Sequence, residues 1–153
     1  MENISKHISY KEATRSNTAL RRGIENIPDV EELENMKLIA EKVFEPLRKW
    51  VGGPIKINSF YRSPELNVAI GGSKKSQHCH GQAIDIDDVF GYKTNYEMFE
   101  YIRENLDFDQ LIYEFGTNDN PDWIHVSYVS KKENRNRVLR AIRENGKTKY
   151  KII

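Results

Sequence analysis

Four histidines occur in the 153 residues, and three of them, His78, His80 and His125, fall in loop-to-strand stretches rather than on helices. His78 and Asp85 bracket the passage SQHCHGQAID, where Gly81 and Ala83 let the backbone come close to whatever the side chains hold. His125 offers a third side chain from DWIHVSY. Two imidazoles and one carboxylate are the donor set of a catalytic zinc site, in which three protein ligands leave a fourth position open to water. His80 is a weaker alternative, since His-x-His in an extended segment puts both rings on one side. Cys79 is the only cysteine, so no intramolecular disulfide can form and a zinc site built on several thiolates is excluded. Spacing alone does not separate a metal site from satisfied polar residues.

The elements that must position these groups follow from the pattern of the chain. With 38% hydrophobic and 31% charged residues, the composition predicts one globular domain over 1–153. Lys plus Arg number 24 against 23 Asp plus Glu, so no net field draws the chain to nucleic acid or membrane. The N-terminus carries no hydrophobic run, which predicts neither a signal peptide nor a membrane span and a protein made in the cytoplasm. Ser9 to Glu12 has capping-box spacing and predicts a short helix, and Asn17 to Pro28 reads as irregular. From Val30 to Trp50 apolar residues recur every three or four positions, predicting a long amphipathic helix that Pro46 kinks and Gly52-Gly53-Pro54 ends. Strands are predicted at Ile55–Phe60, Gln82–Ile86, Leu111–Phe115 and Trp123–Val129, and helices after Ser63-Pro64 and from the Thr94–Glu97 capping box. Asn145-Gly146 signals a terminal hairpin. Helices first and mostly short strands afterwards predict an α+β fold with an antiparallel sheet.

SQHCHGQAID fits Ser-x-His-x-x-Gly-x-Ala-x-Asp, and together with DWIHVS it resembles the zinc D-Ala-D-Ala peptidases, relatives of the hedgehog-like fold. The resemblance extends to SFYRSPELN and, more loosely, to EPLRKWVGGPIKI, so it covers most of residues 5 to 130. It implies a hedgehog/DD-peptidase-like fold with the N-terminal helices on the sheet, and zinc held by His78, Asp85 and His125. The family's catalytic carboxylate, three residues before the last His, falls on Asp122, its active-site arginine on Arg62 and its substrate-contacting serine on Ser76. Many relatives have Glu where Asp122 stands, and Asp is one methylene shorter. Residues three apart in a regular strand face opposite sides, so Asp122 must lie in the loop before the strand.

The implied activity is zinc-dependent hydrolysis of a peptide bond in the peptidoglycan stem or cross-bridge, by a monomer with no nucleic-acid or membrane partner. In length and layout the chain resembles short phage endolysins, which reach the wall when released in lysis; the motifs do not choose between carboxypeptidase and endopeptidase. One alternative is an inactive zinc-binding module that binds wall or serves in a virion. Another starts from residues 131–153, where nine basic residues stand against Glu133 and Glu144, a local charge of +7 that would suit a polyanion. That stretch has few aromatics for base stacking, and a solvated strand face is its default.

Overall fold

The computed structural model describes residues 3–153. Ser9 caps α1 (Tyr10–Thr14) by accepting a hydrogen bond from the Glu12 amide at 3.0 Å, as the spacing predicts. The next segment is not irregular throughout: Asn17–Arg22 forms a second helix, α2, capped by Ser16 and ended by Gly23 in the left-handed conformation. Only Ala19 of α2 is buried, so the segment carries no apolar stripe from which a helix could be read.

The predicted long helix is one rod in three parts, α3 (Val30–Ile39), a π-helical turn (Ala40–Phe44) and α4 (Glu45–Val51). Pro46 has no N–H to give and its ring excludes the carbonyl four residues back. The bonding therefore widens just before it, with the Glu45 amide reaching the Ala40 carbonyl, and α4 starts afresh with proline in its first turn. Met36, Ile39, Ala40, Val43, Phe44, Leu47 and Val51 are buried, whereas Val30 and Trp50, the expected ends of the stripe, lie outside the core. Each large side chain buried here is worth about 1.5–3 kcal/mol over exposure, so this face fixes how the rod lies on the sheet.

Six strands follow: β1 (Lys56–Ser59), β2 (Ala83–Asp87), β3 (Gln110–Glu114), β4 (Trp123–Ser127), β5 (Arg137–Glu144) and β6 (Lys147–Ile152). Their order across the sheet is β1-β2-β4-β3-β5-β6. The short α5 (Pro64–Ala69) and the capped α6 (Asn95–Asn105) complete the α+β architecture. The sheet is mixed rather than antiparallel, because β5 runs parallel to β3 while every other pairing is antiparallel. The reason is geometric. Since β4 runs against β3, it ends beside the start of β3, and the loop 128–136 steps over that start and re-enters on the far side in the same direction. The Asn145-Gly146 turn has both residues at positive φ, the twist a two-residue hairpin needs. Among the described residues no helix is long and apolar enough to cross a membrane.

Strand alternation divides the sheet into two faces. Ile57, Ile84, Ile86, Ile124, Val126, Leu111 and Tyr113 join the helices in one core. Asp85, His125 and Glu114 occupy positions of the opposite parity, and a register shift between Ile57 and Ser59 brings Ser59 opposite Asp85. A buried carboxylate, Asp109, secures the crossing loop. It accepts bonds from the Arg135 amide at 3.0 Å, from Arg135 Nε at 2.9 Å and Nη2 at 2.7 Å, and from Gln77 Nε2 at 2.9 Å. These bonds, Arg135's first, hold it below the usual carboxylate range. Asp109→Ala is expected to cost roughly 2 kcal/mol in urea unfolding, the scale of a lost charged hydrogen-bond group at a half-exposed arginine. A loss below about 0.5 kcal/mol, the range of ordinary surface changes, would show that the loop is held by other means.

Candidate metal centre

His78 sits in a single 3-10 turn, Gln77–His80, and is 3% exposed. Ser76 caps the turn by accepting from the His78 amide at 3.3 Å, so the predicted substrate-contacting serine also positions a predicted ligand; no described residue accepts its O–H. Gly81 closes the turn at φ +71, and a Cβ there would run into the Glu32 carbonyl and Met36 of α3. His80 is exposed on this turn, and the chain is not extended as the His-x-His alternative requires.

The His78 ring is oriented by a backbone carbonyl. Nδ1 lies 2.7 Å from the Phe60 oxygen, which can only accept, so Nδ1 carries the proton and Nε2 presents its lone pair. That lone pair faces Asp85 Oδ2 at 3.3 Å, yet Nε2 is buried and makes no hydrogen bond among the described residues. Asp85 and His125 are directly opposite on β2 and β4, and Asp85 Oδ1 lies 2.9 Å from His125 Nδ1. The donor atoms of His78, Asp85 and His125 all fall within 4.8 Å of one another. Burial favours neutral His78 and lowers its pKa. Burial alone would raise the Asp85 carboxyl, but His78 and His125 outweigh it and hold Asp85 well below the usual carboxylate range. An ionised carboxylate, a neutral imidazole with a buried, unpartnered nitrogen and a second imidazole make a donor set that fits a tetrahedral zinc ion with one position left over.

Arg62 follows β1 and is fastened on three sides. Nε donates to Ser59 Oγ at 3.3 Å, Nη1 donates to Asn67 Oδ1 at 3.0 Å, and Nη2 stands 3.8 Å from Asp85 Oδ2. Asn67 is itself buried and donates to the Ser73 carbonyl; Gly72 is required beside it, since a Cβ there would overlap the Asn67 side chain. A groove of about 820 Å3 runs past Arg62 along the β1 edge, with Lys6, Lys11, Arg15 and Lys56 on its walls.

The two carboxylates near His125 differ sharply. Asp122 precedes β4, as the motif requires, and its backbone carbonyl accepts a 3.1 Å bond from the buried Asn95, which also holds the Pro121 carbonyl and Asp87. The Asp122 side chain is exposed and makes no hydrogen bond or ion pair with a described residue. Glu114 is 7% exposed and shares the face of Asp85 and His125, two residues along β3 from Ile112, the partner of His125. Burial raises its pKa to about 7; His125 opposes the rise and Asp85 adds to it. The family motif puts the catalytic carboxylate on Asp122; Glu114 carries no motif signal, and only the register of β3 against β4 brings it to the face of His125.

Residues 6–127 match the sequence profile of the Peptidase M15 family, and the chain belongs to that family. No curated protein matches the sequence.

An acid with a higher pKa in the folded chain binds more protons folded than unfolded, so its presence lowers stability as pH rises. For Glu114 the fall runs from about 4.5 to about 7 and is flat above. In metal-free protein, Glu114→Gln should therefore gain on the wild type by about 3 kcal/mol between pH 4 and pH 8 in urea unfolding. A difference independent of pH would mean that Glu114 is not held in a desolvated site.

Proposed function

We propose that the protein is a zinc peptidase that hydrolyses a peptide bond of the peptidoglycan stem or cross-bridge, and that its sheet and helices are those of the hedgehog/DD-peptidase fold. The observation that carries this reading is the His78–Asp85–His125 cluster with its unpartnered, correctly tautomeric Nε2, in a chain of the Peptidase M15 family. A zinc ion held by these three side chains would act as a Lewis acid, polarising the scissile carbonyl and lowering the pKa of water.

The remaining steps belong to the chain. A carboxylate takes a proton from water as the water oxygen bonds to the carbonyl carbon. The same carboxyl group returns that proton to the amine as the C–N bond breaks. Glu114 suits this exchange because it is a buried carboxyl group on the sheet face of Asp85 and His125. Arg62, held by Ser59 and Asn67, presents a fixed positive charge to the developing oxyanion or to a substrate carboxylate. The groove past Arg62 is lined mainly by β1 and the N-terminal segment and by none of His78, Asp85 and His125, so it does not choose the bond; the short, endolysin-like layout of the chain is what favours an endopeptidase.

Hydrolysis of stem pentapeptides, free-acid and C-terminally amidated, followed by mass spectrometry for the wild type, Glu114→Gln and Asp122→Asn, tests the reading. The wild type should cut both peptides at similar rates, Glu114→Gln should lose kcat by about 100-fold or more, and Asp122→Asn should stay within a few-fold. Loss confined to Asp122→Asn would return the proton transfer to the motif position. Strict dependence on a free terminal carboxylate would make the enzyme a carboxypeptidase, and no cleavage of either peptide would remove the peptidase reading.

A further inference from the structure

The hairpin β5–β6 lies beyond the residues matched by the family profile, and its charge suggested a polyanion surface. Much of that charge is already engaged. Arg135 is bound to Asp109, Arg140 lies over the Tyr113 ring and donates to Asn118, Arg143 lies over Phe115, and Lys149 pairs with Glu144. The strand alternation then sorts the rest. Lys147, Lys149 and Lys151 share one face of β6, while Thr148, Tyr150 and Ile152 take the other.

The second face is the one that carries the candidate site. Glu114 is paired with Ala141 across the parallel β3–β5 ladder, and Ala141 is paired with Tyr150 across β5–β6. Glu114, Ala141 and Tyr150 thus form a row across three strands, on the side where Asp85 and His125 stand. The middle member, Ala141, is completely buried and has the smallest side chain of the row. Tyr150 is nonetheless 57% exposed, an aromatic side chain with a large free surface on an edge strand. The register places Tyr150 on the site side of β6, and its phenol pKa is raised, by burial first and then by the negative charges of Glu114 and Asp85.

We propose that Tyr150 is a substrate-binding residue: its ring forms the wall of the cleft opposite Arg62, and its hydroxyl donates to a main-chain carbonyl of the peptide beyond the bond that Glu114 serves. The proposal rests on the peptidase reading and extends it by assigning the terminal hairpin to the substrate cleft. An aromatic ring offers apolar contact at low conformational cost, and the hydroxyl adds register along an extended peptide. The cleft would then run across the strands, from the cationic β1 edge over the metal centre to an aromatic end on β6.

The test compares wild type, Tyr150→Ala, Tyr150→Phe and Lys149→Ala in steady-state hydrolysis of a synthetic stem pentapeptide and in calorimetric binding of that peptide to the metal-free proteins. Tyr150→Ala should raise KM and weaken binding by about 10-fold while kcat stays within about 3-fold, the signature of lost uniform binding. Tyr150→Phe should show about a 3-fold effect, the share of one hydrogen bond, and Lys149→Ala, on the opposite face of the same strand, should match the wild type. If the wild type cuts and binds the peptide and Tyr150→Ala does so equally well, the proposal is overturned and the peptidase reading stands. If the wild type neither cuts nor binds it, both fall. Circular dichroism confirms folding, and should Tyr150→Ala fail to fold, Tyr150→Phe decides: unchanged binding would overturn the hydroxyl's role and the proposal with it.

Discussion

The hydrogen bond from His78 Nδ1 to the Phe60 carbonyl is the constraint on which the candidate site depends. It sets one tautomer, and with it the direction of the only buried ring nitrogen in the molecule that lacks a partner among the described residues. The bond crosses from the turn Gln77–His80 to the residue after β1, so the geometry of the candidate site is built from long-range contacts and not from local chain preference. Everything near it braces that turn. Ser76 caps its start, Gly81 lets it touch α3, Gln77 is tied to Asp109, and the Arg62 amide donates to the His78 carbonyl at 3.2 Å. Relaxing any of these moves Nε2 relative to Asp85, and ligand sets tolerate only small displacements before affinity falls.

The sheet supplies the other two donors by parity alone. Pairing β2 with β4 in the register Asp85↔His125 puts a carboxylate and an imidazole on the same face, while Ile84, Ile86, Ile124 and Val126 are forced into the core. A slip of one residue would bury the donors and expose the isoleucines, so the hydrophobic core locks the metal face as firmly as any direct contact. The same rule carries Glu114 into the site from β3. The site is therefore a consequence of the core's alternation, with one histidine delivered separately by a capped turn.

Much of this was legible in the sequence, and the parts that were not share a physical cause. Capping residues at Ser9, Ser63 and Thr94 locate helix starts because their side chains bond to nearby amides, a local event. Pro46 announces the disturbance of the long helix for the same reason, and the His78, Asp85 and Asp122-x-x-His125 spacings mark the candidate ligands. The α2 helix escaped notice because it buries only Ala19. The parallel pairing of β5 depends on where β4 ends in space, and the place of Glu114 on the face of Asp85 and His125 depends on which strand lies beside it, and neither is written in residue spacing. Residues 131–153 are strongly basic in sequence; alternation along β6 puts Lys147, Lys149 and Lys151 on one face and Tyr150 on the other, which only the pairing register Ala141↔Tyr150 reveals.

A metal centre requires that the three donors hold one ion together. Elemental analysis of the wild type, His78→Ala and His125→Ala, purified alike and checked for folding, measures this directly. The wild type should carry about one zinc per chain, and each variant, left with two of three ligands, should retain only a small fraction of it. Folded variants that both keep stoichiometric zinc would contradict the assignment of His78, Asp85 and His125 as the metal centre.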